Sequence, residues 1–134
     1  MTIEIFNPPE LGEPSGFSHA VAGTGKTIFL AGQTALDPSG RITGKTVVEQ
    51  FERALGNLLT ALAAAGGGPE DLTSLTIYIV DMDDYKARSR ELGKVWRRLI
   101  GKSYPAMAGV GVARLWDTDA LVEVQGYAVV ADSN

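Results

Sequence analysis

The run Leu121-Val122-Glu123-Val124 sets a carboxylate inside an apolar, β-prone segment. A glutamate in that setting is either a general acid or base at a ligand site, or a residue on the wet side of a half-buried strand. The second candidate is Ala31-Gly32-Gln33, at the end of another apolar run. A glycine there either lets a ligand approach the backbone or marks a bulge. Other chemistry-bearing groups do not complete a site. Gly25-Lys26-Thr27 has the last letters of a phosphate loop, but position 20 is Ala20 and a strand, not a helix, should follow. Ser18 and His19 are adjacent, and neighbouring residues of a strand point to opposite faces, so they make no nucleophile–base pair. His19 is the only histidine, and beside a loop it reads as structural. Asp81, Asp83 and Asp84 begin like a calcium loop, yet Tyr85 and Lys86 occupy its fifth position and its glycine position. These acids read as a helix cap. With one histidine and no cysteine, a metal centre is disfavoured.

The elements that must position these residues are written in the hydrophobic periodicity. Ile3-Glu4-Ile5-Phe6 alternates and then meets Pro8-Pro9, which predicts a short edge strand and an extended loop. Residues 17–22 and 27–31 are two β-prone runs around Gly23-Thr24-Gly25-Lys26, and they predict a hairpin. Asp37-Pro38-Ser39-Gly40 has Asp and Pro where a type I turn favours them. Thr46-Val47-Val48-Glu49 has the form of a capping box, and Val48, Phe51, Leu55, Leu58, Leu59 and Leu62 follow at helical spacing. Gly66 supplies a left-handed stop. Leu75, Ile77 and Ile79 alternate with Thr76 and Tyr78 in a strand buried mainly on one side. A second helix should run over residues 83–100, with acids at its start and Lys94, Arg97 and Arg98 near its end. Residues 106–115 and 120–130 predict a second hairpin, turned by Trp116-Asp117-Thr118-Asp119. The order β-ββ-α-β-α-ββ gives an α+β fold, one mixed sheet with two helices on one face.

The chain has 134 residues, and its glycine clusters fall only between patterned segments, so it reads as a single domain over 1–134. The absence of cysteine excludes disulfides, iron–sulfur clusters and thiol nucleophiles. A net charge of −4 argues against a nucleic-acid partner. No apolar run is long enough to cross a bilayer, and Met1-Thr2-Ile3-Glu4 does not open like an export signal. The expected setting is therefore cytoplasmic, without membrane contact. Two helices cover only one sheet face, so Val110, Val112, Val122 and Val124 are candidates for burial against another subunit.

Several ordered stretches resemble one family. Gly16-Phe17-Ser18-His19-Ala20-Val21, Ala31-Gly32-Gln33, Tyr104-Pro105-Ala106 leading to Val112-Ala113-Arg114-Leu115, and Val122-Glu123-Val124 occur in the order and spacing of the RidA (YjgF-like) family, across almost the whole chain. The resemblance implies a chorismate-mutase-like fold and a homotrimer whose three sheets form a central barrel. It also implies small-molecule clefts between subunits. The best-known members hydrolyse 2-imino or enamine acids to 2-keto acids and ammonia, with no cofactor. In their pattern an arginine clamps the substrate carboxylate, and a glutamate on the last strand positions the attacking water.

The resemblance implies that role for Glu123. At the other positions the chain departs from the pattern: the arginine's place is Met107, a tyrosine's is Phe17, a serine's is Ala31, and a frequent cysteine's is Gly109. The Gly32 backbone is kept. Methionine cannot pair with a carboxylate. Arg114 is an imperfect substitute, because an odd offset in a regular strand puts it on the opposite face from Met107. The expected pocket is apolar, built from Phe17, Met107, Ala31 and Trp96 or Trp116, with Glu123 as its polar group. It suits an uncharged ligand better than a small acid. Two functions follow: a cofactor-independent imine or enamine hydrolase with an altered substrate, or a metabolite-binding regulatory trimer without turnover. Ribonuclease and translation-inhibitor roles, described for other members, fit the acidic charge poorly.

Overall fold

In the computed structural model, which describes residues 2–132, the chain runs β1 (Ile3–Phe6), β2 (Ala20–Gly23), β3 (Lys26–Gln33), α1 (Val47–Ala64), β4 (Leu72–Ile79), α2 (Met82–Ala87), α3 (Ser89–Leu99), β5 (Ala106–Gly111) and β6 (Val122–Val130). The ends of the expected 1–134 unit lie outside the described residues. Strands β3, β6, β4 and β5, in that spatial order, form one mixed sheet. β4 and β5 are parallel, whereas β6 runs antiparallel to both its neighbours. β1 and β2 pair with each other as a separate antiparallel ribbon.

Helix α1 begins and ends as its sequence dictates. The Thr46 hydroxyl accepts from the Glu49 N–H at 3.1 Å, and the Glu49 carboxylate accepts from the Thr46 N–H at 3.1 Å. Gly66, at φ +91°, turns the chain after the last helical residue. The N–H of Gly67 then reaches back to the carbonyl of Leu62 at 3.0 Å, closing the Schellman turn. The apolar stripe of α1 (Phe51, Leu55, Leu58, Leu62) is buried against Ile28, Leu30, Leu75, Ile77, Val122 and Val124 of the sheet. Full burial of each such side chain contributes about 1.5–3 kcal/mol. Leu92, Val95 and Trp96 of α3 complete the same core.

The α+β class and the buried side of β4 are as expected, but the strand partners are not. Neither predicted hairpin forms as a ladder. β2 joins β1, and β3 instead pairs with β6, whose register sets Ile28 opposite Ala128. β5 pairs in parallel with β4 at the far edge, so β6 fills the centre of the sheet between β3 and β4. Alternation shows which face of a strand is buried; it carries no information about the partner. The second helix also breaks. α2 ends at Ala87, and Arg88 (φ −102°, ψ 16°) separates it from α3. Val122 and Val124 are fully buried against the helices. The face left open carries the expected Val110, together with Phe29 and Tyr127.

Candidate functional site

Two amides on α1 anchor the strands that carry the candidate residues. Buried Gln50 donates from Nε2 to the carbonyls of Gly44 (3.1 Å) and Asp119 (3.0 Å), and its Oε1 accepts from the N–H of Leu121 at 2.8 Å. This fixes the entry to β6 two residues before Glu123. Asn57 donates to the carbonyls of Thr34 (3.0 Å) and Leu36 (2.9 Å), just beyond Gln33 at the end of β3. Both N–H donors and the carbonyl oxygen of the Gln50 amide are used, which rewards one geometry and penalises others.

Between these anchors Gly32 and Glu123 meet. The β3–β6 register shifts between Leu30 and Gln33, so Gly32 sits in an irregular, bulged stretch. A side chain there would displace the carboxylate: a Cβ on Gly32 would overlap Glu123 Oε2 and lie 3.0 Å from its Cδ. Both sequence readings of Gly32 therefore have a structural counterpart, a bulge and a close approach, the approach being that of the Glu123 side chain. The ion pairs Arg88–Asp84, Arg88–Glu91 and Arg98–Glu52 leave the Glu123 carboxylate unpaired among the described residues. Tyr78 stands opposite Glu123 on β4, and its hydroxyl donates to Gln125 Oε1 at 3.2 Å. Ala31 and Gly32 are exposed in the single chain.

Met107 belongs to the other side of the sheet. On β4, Met107 pairs with Leu75 and Glu123 with Tyr78, three residues apart, so the two pairs point to opposite faces. Met107 packs on the buried core and lines a cavity of about 280 Å³ with Phe51, Tyr85, Trp96 and Tyr104. Gly109 and Gly111 point the same way and leave that edge of β5 bare, a Cβ at either meeting only Ile79 or Met82 at 3.6–3.7 Å. Phe17 is half-buried in a neighbouring cavity of about 630 Å³ that also includes Lys102 and shares Tyr104 as a wall. The chain around Phe17 is tied to that of Met107: Ser18 N–H donates to Pro105 O at 3.0 Å and Ser18 Oγ to Tyr104 O at 2.6 Å.

Within one chain the residues of the expected cleft fall into two groups. Phe17 and Met107 fall near one shared wall; Ala31, Gly32 and Glu123 gather on the opposite face. Trp96 lines the Met107 cavity, whereas Trp116 is 90% exposed and lines neither half. Arg114 lies beyond the end of β5 in an exposed loop, where its Nε donates to the carbonyl of Leu115 at 3.4 Å. The strand-parity argument does not apply to it, since the strand stops at Gly111. His19 is structural: its ring contacts the Gly12 carbonyl through Nε2 at 3.1 Å and packs edge-on against Phe17. Asp81 caps α2 by accepting from the Asp84 N–H at 3.1 Å. Among the described residues no cluster of three acidic or histidine side chains is arranged to hold a metal ion. Gly93 and Tyr85, which shape the Met107 cavity, were not singled out as site residues by sequence reasoning. The available signal was a glycine inside a helix.

The Endoribonuclease L-PSP family model matches residues 10–130. The chain belongs to this family, that of the RidA (YjgF-like) proteins. It is 32% identical to a RutC family protein of Pyrococcus abyssi over 130 residues, 96% of this chain and 98% of that one. It is 33% identical over 105 residues to the mouse protein named 2-iminobutanoate/2-iminopropanoate deaminase, covering 78% of this chain and 74% of the mouse one. The crystal structure of the Rid-family protein YyfB from Yersinia pestis superposes with a TM-score of 0.87 at 29% identity, covering 97% of this chain and all of that one, 100%. E. coli TdcF, solved with bound serine, superposes with a TM-score of 0.70 at 26% identity, covering 90% of this chain and 92% of that one. The chorismate-mutase-like α+β fold expected of a RidA-family member is the fold observed. No helix among the described residues is long and apolar enough to cross a membrane.

Proposed function

We propose that this protein is a cofactor-independent hydrolase of imines or enamines, acting in the cytoplasm as a homotrimer with its clefts between subunits. One observation carries the reading: the Glu123 carboxylate rests against the Gly32 backbone on an open sheet face, with no ion-pair partner among the described residues. A carboxylate so held is available to a water molecule and to the ligand that water attacks. Two further features support it. Phe29 (76% exposed) and Tyr127 pack edge-to-face on the same open side, an apolar surface suited to a second copy. Glu123 and Met107 also lie on opposite faces of one sheet, so a ligand that touches both needs two chains.

In the proposed reaction Glu123 takes a proton from water as its oxygen attacks the imine carbon. Glu123 returns that proton to nitrogen, which gives a neutral tetrahedral carbinolamine. It then moves the carbinolamine hydroxyl proton to nitrogen, the carbon–oxygen double bond forms as the carbon–nitrogen bond breaks, and ammonia leaves a carbonyl product. The name of the mouse relative supports this reaction class. Met107, standing where the family pattern has arginine, removes the bidentate carboxylate clamp, so activity on small 2-imino acids is reduced or the substrate is different. The apolar character of Phe17, Ala31 and Met107 favours a second reading, a metabolite-binding trimer without turnover.

The test generates imines in situ with an amino-acid oxidase and follows their decay by semicarbazide trapping, with and without the purified protein. Faster decay supports the hydrolase. Unchanged decay of every imine tried, from a protein shown to be trimeric, supports the binding module instead.

A further inference from the structure

We propose that the cavity beneath Met107 receives a flat, uncharged ring of the ligand, and that Gly93 is the notch that opens it. The proposal rests on the cleft reading above for its connection to the reaction, but the cavity itself lies within one chain. Its walls include four aromatic rings, the Met107 thioether, Ile77 and Leu92, with Ser15 and Ser89 as small polar members. Trp96 and Tyr104 stack with centroids 5.7 Å apart and planes 5° from parallel, while Phe51 and Tyr85 meet edge-to-face at 6.3 Å. Rings add favourably to such walls by offset or edge-on packing, and a methionine sulfur packs well on a ring edge.

The volume, about 280 Å³, sets the size of the guest. A cavity of about 150 Å³ with apolar walls already admits benzene. There is room here for one substituted ring. The lining offers no counter-charge: it contains no Asp, Glu, Lys, Arg or His. Burial pushes the Tyr85 hydroxyl up to about 12, so it stays protonated and neutral at physiological pH. The lining itself would return no full counter-charge to a charged guest, and the nearest cation, Arg97, stands outside it beside Gly93.

Gly93 lies in the interior of α3, where glycine is a poor helix former. A Cβ placed there would meet nothing nearer than the tip of Arg97, at 4.0 Å. The fold has room for a side chain at 93, and the space it would fill borders the cavity.

The experiment is a titration of ¹⁵N-labelled protein with benzyl alcohol, and separately with pyruvate, read at the two tryptophan indole signals. Trp96 lines the cavity, its Nε1–H donating to the Ser103 carbonyl at 3.2 Å, and exposed Trp116 serves as the internal control. The expected result is a saturable shift of Trp96 alone with benzyl alcohol, and cross-relaxation between the probe ring and the Met107 methyl. Gly93→Leu, with its melting curve checked, should abolish both. No shift, an equal shift of both tryptophans, tighter binding of pyruvate, or undiminished binding in folded Gly93→Leu would overturn the proposal. In the imine assay the phenylalanine-derived imine should exceed the alanine-derived one in kcat/KM by at least about tenfold, a ratio that Gly93→Leu lowers. A responding Trp96 without turnover retains the ring cavity and removes the hydrolase. Turnover with a silent Trp96 does the reverse.

Discussion

Met107 and Glu123 lie on opposite faces of the same four-stranded sheet, held there by their β4 partners Leu75 and Tyr78. Two residues that the family pattern assigns to one ligand are thus separated by the thickness of the sheet within a chain. The proposed assembly follows from that separation.

Gly32→Ala should leave the fold intact and damage the chemistry. The added methyl meets the far end of the flexible Glu123 side chain, which can swing away. Stability should change by no more than about 0.5 kcal/mol, as for surface substitutions generally. Turnover should fall about 100-fold, the scale expected when a reacting group is misplaced by about 1 Å. Melting curves and the semicarbazide assay check the two halves. Full activity would mean that the position of Glu123 against Gly32 is immaterial.

Met107→Arg should restore a carboxylate clamp. Binding of a 2-keto acid should tighten by at least about tenfold, or about 1.4 kcal/mol, measured by calorimetry. No gain would mean that position 107 does not face the ligand's carboxylate.

Phe29→Lys should dissociate the assembly with little cost to the subunit. In the single chain Phe29 touches Tyr127 edge-to-face at 5.5 Å and is otherwise open. If a second copy covers it, a lysine there carries a buried, unpaired charge. Sedimentation should report about three times the 14.2 kDa chain mass for the natural protein and a smaller species for the variant. An unchanged mass would remove this face from the interface.

Acid should weaken the start of α1. Glu49 accepts from the N–H groups of Lys45 and Thr46 and from the Thr46 hydroxyl, which hold its carboxyl below the usual glutamate range. A depressed folded-state value contributes stability above the unfolded value, and that contribution is lost as pH falls through the folded value. Melting temperature should therefore drop from neutral pH toward pH ~3 less steeply in Glu49→Gln than in the natural protein. Thr46→Ala should cost about 1 kcal/mol at neutral pH.

Local features were legible from the residues, and long-range ones were not. The capping box at Thr46, the left-handed Gly66 and the Asp81 cap depend on neighbours within a few positions, so their types and spacing sufficed. The buried side of β4 was readable from the alternation of Leu75, Ile77 and Ile79. Strand partners were not, because the hydrogen bonds that set them join β3 to β6 across almost a hundred residues, and alternation looks the same in a hairpin and in a crossover. Glu123 and Gly32 were each visible as candidates, and Gly32 was readable as a bulge, but their contact depends on the β3–β6 pairing, which neither residue announces. The placement of Met107 and Glu123 on opposite faces of one chain was hidden for the same reason: it follows from registers on β4. Gln50, which holds the loop before β6, looked in the sequence like an ordinary polar residue in the first turn of a helix.

The central claim is that Glu123 activates water against an imine. Its most direct test compares natural protein and Glu123→Gln in the semicarbazide assay, with both confirmed to have the same oligomeric mass. The natural protein should accelerate the decay of an imine, and the variant should lose at least about 100-fold of that acceleration, the contribution usual for a positioned general base. Equal acceleration by the two proteins would contradict it.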